Sequence, residues 1–237
     1  MTEFEGITLV TGAAGFIGRY VVEHLVALGV QVRATDLPRK DTSCFDGMGV
    51  EFVGADLAKP ETLPALFDGR VDRVFHLGAI CNLSTSYQKL HPINVIGVDR
   101  ITKLALDAGV KRYIHVGSTS VYGPYQGTPF TEDAPRNPQD SYGRSKRGGE
   151  DIVWRRIEEG LAAIIARPCT VYGPGCTDGA GKVFSRPTSI TAIPGNGRQL
   201  LSNVQVEDVT AASNRRAATK SSAAAGACIL GQTVTPR

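Results

Sequence analysis

The feature that most constrains this chain is the run from residue 7 to residue 18, ITLVTGAAGFIG. Ile7, Leu9 and Val10 make the short apolar stretch of a buried strand. Gly12, Gly15 and Gly18 follow at intervals of three, and residues 19–28 place Tyr20, Val21, Leu25, Val26 and Leu28 at helical spacing. In a strand–turn–helix unit each glycine has its own use. Gly12 permits the tight turn, Gly15 lets the backbone approach a pyrophosphate, and Gly18 lets the helix pack closely on the strand. The helix N-terminus then offers free N–H groups and the positive end of its dipole. Glycine triplets are common by themselves. Here residues 30–35 read as a second strand that ends in Asp36, near the downstream distance at which a carboxylate binds a ribose hydroxyl.

The remainder of the chain repeats this alternation. Residues 50–54 and 71–77 read as strands, and residues 60–67 as a short helix with Pro60 near its start. A helix is expected from Pro92 to Ala108, stopped by Gly109. Residues 113–116 form a fifth strand opening onto Gly117 and Ser118. A proline-rich polar segment follows, long enough to suggest a functional loop. Residues 142–159 read as a helix, and residues 161–166 as a sixth strand ending in Arg167 and Pro168. Helix-length segments between successive strands mean parallel pairing with crossover helices. The expected fold is therefore α/β, a Rossmann-type doubly wound parallel sheet. Residues 1–168 form the dinucleotide-binding domain, and residues 169–237 a partial substrate region interleaved with the sheet. No internal repeat is seen, and the only biased stretch is an alanine- and serine-rich run at residues 217–227.

Composition narrows the partners. A net charge of +3 over 237 residues is too small to argue for nucleic acid or a membrane surface. No apolar run approaches the roughly 20 residues needed to span a bilayer. The acidic start MTEFEGITLV is unlike a signal peptide. Five scattered cysteines without a CxxC pair fit a reducing compartment and define no metal site, so a cytoplasmic location is expected. His76 and His115, inside strands, read as core residues, and Arg155–Arg156 as a solvated helix face.

Tyr142 and Lys146 stand four residues apart and so face one side of their helix. An isolated phenol, with a pKa near 10, is a poor base at neutral pH. The Lys146 cation, with the positive charge of an oxidised nicotinamide, is expected to favour the phenolate. Ser118 at a strand end would share a hydrogen bond with a substrate oxygen. Cys81 and Cys169 each follow a strand end and are candidates to line the pocket.

These motifs occur in an order that resembles the extended short-chain dehydrogenases/reductases of the NAD-dependent epimerase/dehydratase group. They run from TGAAGFIG through Asp36, Asp56-Leu57, HLGA at 76–79, Asn94, Ser118, VYG at 121–123, YGRSK and Arg167-Pro168 to VYGPG at 171–175. The resemblance implies that Phe16, Ile17, Leu77, Gly78 and Ala79 belong to the cofactor site with the glycines and Asp36. Asp56 and Leu57 would lie along the adenine, Pro168 would border the nicotinamide, and Lys146 would also hold its ribose. Asn94 would support the active-site helices. Cys81, Ser118, Thr119 and Thr170 would face the substrate. Gly78 stands where the group often has alanine, a mild departure.

Other departures guide function. Thr119 and Ser120 occupy positions that carry acids in the group's dehydratases, and neither can act as a carboxylate, which disfavours dehydration. In the group's nucleotide-sugar enzymes an asparagine and an arginine serve the nucleotide diphosphate, where this chain has Thr170 and Leu201. Leucine offers no bidentate contact to a diphosphate. Arg198, in the turn just before Leu201, would be the substitute. The expected activity is hydride transfer at a secondary alcohol or ketone of a small, non-nucleotide substrate, with NAD as cofactor and NADP possible. Two alternatives stand beside it: a nucleotide-sugar epimerase working by transient oxidation, and a cofactor-binding protein without catalysis. The group's four-helix pairing implies a homodimer, with Ile93, Ile101, Leu104, Ile152, Val153 and Ile157 in its core. The chain ends at Arg237, earlier than the resemblance leads one to expect.

Overall fold

The computed structural model describes residues 5–124, 129–176, 202–217 and 226–231. Its frame is a parallel sheet. Strands β1 (Ile7–Thr11), β2 (Val32–Thr35), β3 (Glu51–Phe52), β4 (Val71–His76), β5 (Arg112–Val116), β6 (Ala163–Pro168) and β9 (Gly226–Leu230) lie in the order β3-β2-β1-β4-β5-β6-β9. A second sheet pairs β7 (Thr170–Tyr172) with β8 (Asn203–Gln205). The central strands are buried along their whole length, which is why they read as continuous runs rather than alternating ones. Leu9, Val74, Tyr113 and Ile165 form the core on one face, and Val10, Phe75, Ala34 and Ile114 on the other.

Helices cover both faces: α1 (Phe16–Ala27), α2 (Tyr87–His91), α3 (Val98–Asp107), α4 (Ser141–Glu158) and α5 (Val206–Ala217). Strand order reverses at β1, with β2 on one side and β4 on the other. That reversal leaves a crevice beyond the carboxyl ends, where such sheets bind ligands. In-register pairing of Thr11 with Thr35 and with His76, and of His76 with His115, brings these ends level.

Local differences from the sequence reading have identifiable causes. Helix α1 starts at Phe16, because the glycine turn closes straight into it. Residues 60–67 make two 3₁₀ turns, Pro60–Thr62 and Pro64–Phe67, each opened by a proline that cannot donate. The helix expected to begin at Pro92 is already under way at Tyr87. It passes through a π-helical stretch, Pro92–Gly97, before continuing as α3. A wider turn at this point accommodates the missing proline donor. Strands β7, β8 and β9 were not read as strands, and β9 gives the main sheet a seventh member from within the alanine-rich run. Arg155 and Arg156 both donate to Asp99 Oδ1 (2.6 and 2.9 Å), and Arg156 is largely buried rather than solvated. The turn with Arg198 and Leu201 lies outside the described residues.

Candidate active site

The glycine turn is built by backbone contact. Gly12 adopts φ +66°, and a Cβ there would lie 2.8 Å from the Gly78 backbone. A Cβ on Gly18 would collide with the Gly12 carbonyl, whereas one on Gly15 meets only that oxygen, at 3.1 Å. Gly12 and Gly18 thus serve close packing, and Gly15 leaves one side open. The N-terminus of α1 has no side-chain cap and no acid in its first turn, so its N–H groups and dipole are available to an anion. Asp36 closes the other side: its Oδ2 accepts from Ala14 N (3.1 Å) and Oδ1 from Leu37 N (2.8 Å). This arrangement fits the pyrophosphate and ribose of a dinucleotide.

The walls follow from packing. Phe16 stacks edge-on against Tyr20, and Ile17 and Leu77 enter the core under the turn. Asp56 Oδ1 accepts from Ala58 N (2.9 Å), and the turn it forms presents Leu57. Leu57 fits against Gly78 and Gly97, where added Cβ atoms would come within 3.0 and 2.9 Å of it. That contact explains glycine at 78. Ala79 lies half-buried beside them at the end of β4.

Helix α4 carries Tyr142 and Lys146. Asp140 caps it, accepting from Gly143 N at 2.8 Å, and Tyr142 and Lys146 project from one buried face. Lys146 Nζ donates to Val116 O at 2.7 Å, fixing the ammonium at the end of β5. Cys81 and Ser118 are the side chains nearest in influence on the Tyr142 phenol. Ser118 is itself held, accepting from Ser120 N (3.1 Å) at the start of the 3₁₀ turn Thr119–Tyr122. Asn94, in the π-helical stretch, accepts from Ile80 N (2.8 Å) and donates to Ile80 O (3.0 Å) and Ser145 Oγ (2.9 Å). It therefore locks the Cys81 loop to α4.

Burial sets the electrostatics of the pair. The Tyr142 phenol is held well above its ordinary pKa, first by burial and then by Cys81, with the Ser118 hydrogen bond pulling the other way. Burial lowers Lys146, offset by Glu150 and Cys81. The positive charge of an oxidised nicotinamide, part of the phenolate expectation, is not among these influences.

Ser118, Cys81, Tyr142 and Lys146 come together, and Thr119 joins them by donating to Pro168 O (3.4 Å). Thr170 is exposed on β7 with its N–H bonded to Ser202 O (3.3 Å). The Cys169 thiol is directed to Gly231 O (3.1 Å). His76 and His115 are stacked in the core, as expected. Among the described residues no group of three or more His, Cys, Asp or Glu is placed to hold a metal ion.

Sequence reasoning missed a buried cluster behind the site. Glu150, one turn beyond Lys146, is fully enclosed and accepts from Arg167 Nε (3.1 Å) and Nη2 (2.8 Å). Arg167 Nη1 reaches Tyr122 Oη (2.6 Å) and Glu132 O (2.9 Å). The available signal was the spacing of Tyr142, Lys146 and Glu150 at one-turn intervals on a single helix face.

Crevice, glycine turn and tyrosine–lysine helix define a dinucleotide-binding α/β protein with a buried tyrosine–lysine pair at the strand ends. The chain belongs to the NAD dependent epimerase/dehydratase family, whose profile matches residues 8–226. It is 33% identical over 220 residues to a UDP-glucose 4-epimerase of Mycolicibacterium smegmatis, covering 85% of this chain and 70% of that protein. It is 32% identical over 171 residues to sterol demethylase protein B of Methylococcus capsulatus, covering 70% and 52%. The Thermus thermophilus UDP-glucose 4-epimerase, solved with NAD, superposes with a TM-score of 0.83 at 25% identity, over 95% of this chain and 78% of that one. The chain spans about half the length of several curated relatives it matches.

Proposed function

We propose that this protein is an NAD-dependent oxidoreductase acting at a secondary alcohol or ketone of a small, non-nucleotide substrate. The observation that carries the reading is the convergence of Ser118, Tyr142 and Lys146 beside the open glycine turn. When bound, the nicotinamide supplies a hydride acceptor or donor. The chain's own residues do the rest. Ser118 orients the substrate oxygen, Tyr142 takes or gives its proton, and Lys146, seated on Val116 O, places positive charge near both the phenol and the cofactor ribose.

The apolar side of the substrate reading rests on the loop after β4. Cys81 acts on the phenol, and Leu83, two residues on, is 69% exposed. The sterol-enzyme relative points the same way. Thr170, assigned to the substrate from sequence and exposed on β7, stays a substrate-facing candidate in this reading. Epimerisation by transient oxidation is the second reading, favoured by the epimerase relative, which aligns over more of the chain. The deciding experiment is single-turnover absorbance at the nicotinamide band with sterol-like, alkyl and nucleotide-sugar alcohols. Net reduction of NAD with an apolar alcohol supports the proposal; interconversion of sugar epimers without net reduction replaces it.

A homodimer, paired through the outer faces of α3 and α4, belongs to the same proposal. Ile101 and Val153 are buried in this chain's own core. Leu104, Ile152 and Ile157 are partly buried against that same core, so the half-exposed Ile93 is the contact candidate that the core does not claim. A cytoplasmic setting is inferred from the five scattered cysteines. Among the described residues no helix is long and apolar enough to cross a membrane.

A further inference from the structure

Lys146 and Glu150 straddle the end of β5. The ammonium donates to Val116 O, and the carboxylate fills the space beside the next residue, where a Cβ on Gly117 would run into Glu150 Oε1. The residue after that is Ser118. On its far side the carboxylate is gripped by Arg167, whose successor Pro168 ends β6. We propose that Glu150 is a positioning residue for the reaction: locked on Arg167, it seats the end of β5 against α4 and so holds Ser118 and Lys146 in register with Tyr142.

The cluster is built for geometry rather than for stability. A buried ion pair gains little over a well-packed apolar pair, yet it fixes one arrangement because each partner is costly to leave unpaired. Here the arrangement joins α4, β6, the end of β5 and the 3₁₀ turn after Ser118. Arg167 also bonds Tyr122 Oη and Glu132 O, lying 5.1 Å from the Tyr122 ring centre. Arg136 reaches from the segment before α4 to Glu150 Oε2 (3.4 Å) and Asp151 Oδ1 (2.7 Å). The charged and titratable groups facing Glu150 are therefore Arg167, Arg136, Tyr122 and, along its own helix, Lys146 and Asp151. Those facing Lys146 are Glu150, Cys81, His76 and His115. Glu150 is the enclosed anion among the latter, and its field supports the protonated amine.

The inference rests on the acid–base reading of Tyr142 and Lys146, so one arm of its test does not need turnover. In protein labelled with [ε-¹³C]lysine, the Lys146 resonance, assigned with Lys146→Arg, is titrated without cofactor. Glu150→Gln keeps the shape and removes the charge, and should move the Lys146 midpoint to lower pH. Glu150→Asp, which keeps the charge, should restore it. An unmoved midpoint in a folded Glu150→Gln overturns the electrostatic half. The second arm covers Glu150→Gln failing to fold. Glu150→Asp withdraws the carboxylate from Gly117 by one methylene and should lower kcat by about 10²-fold, the scale of a ~1 Å misplacement, with NAD affinity kept. Wild-type kcat in Glu150→Asp overturns the positioning half. If wild type turns over no alcohol, the oxidoreductase proposal fails while the titration still decides the role of Glu150.

Discussion

Asp36 and Ala14 are joined across the glycine turn by a hydrogen bond from the Ala14 N–H to Asp36 Oδ2 at 3.1 Å. In the proposed cofactor site that carboxylate would meet the adenosine ribose, accepting from its hydroxyls and repelling a 2′-phosphate. The exposed Arg39 and Lys40 lie just beyond. NAD should bind more tightly than NADP, and Asp36→Asn should narrow the gap by weakening NAD and relieving NADP. Titration calorimetry with both cofactors checks this; tighter NADP binding by wild type contradicts it.

The glycines separate folding from binding. Gly18→Ala pushes a Cβ into the Gly12 carbonyl and should destabilise the protein, seen as a lower melting temperature without ligand. Gly15→Ala meets only one oxygen, at 3.1 Å, and faces the open side. It should melt near wild type and lose NAD affinity. Equal loss of stability in both variants would refute this division.

Tyr142→Phe removes the proton carrier and leaves the packing of the ring. Turnover should fall 10²–10⁴-fold with NAD affinity largely kept. Lys146→Ala should damage both, and Ser118→Ala should cost less than either. Steady-state rates and cofactor titrations on the same preparations distinguish these patterns.

Alcohol oxidation should rise with pH as Tyr142 loses its proton. Cys81 helps hold the phenol protonated, so Cys81→Ala should move that rising limb to lower pH. A limb that stays in place would remove Cys81 from the account.

Acid stability is set elsewhere. Burial, with Lys146 nearby, lowers His76 to about 3, and His115 is depressed for the same causes and by His76 itself. A histidine depressed in the folded state takes up its proton first in the unfolded chain. Its contribution is therefore complete above about pH 6.5 and is lost as pH falls toward 3, at roughly 1.4 kcal/mol per pH unit for each group. Both ring nitrogens of His115 are buried without a hydrogen-bond partner among the described residues. His115→Phe should therefore melt at or above the wild-type temperature at pH 7.5, and lose less on acidification. Urea melts between pH 7.5 and 4 provide the comparison.

Light scattering at micromolar concentration tests pairing. A dimer should dissociate when Ile93, half-exposed in the π-helical stretch before α3, is changed to Asp. A monomeric wild type removes the pairing proposal.

The sequence by itself determined the α/β frame, the glycine turn with Asp36, and the Tyr142–Lys146 pair. Each of these is local: apolar runs, glycine spacing and helical periodicity act over a few residues and leave a pattern in the chain. Tertiary structure alone decided the rest. Pro92 reads as a helix start, yet the chain carries it inside a π-helical stretch so that Asn94 can join Ile80 to Ser145. Thr170 and Cys169 follow Pro168 directly, and pairing of β7 with β8 and contact with Gly231, none of it legible in the sequence, fix where they stand. The protonation of Tyr142 follows from burial, which depends on what β5 and the Cys81 loop place around it. Arg167 and Glu150 are 17 residues apart and reveal nothing to each other in the sequence; only the packing of β6 against α4 makes them a pair.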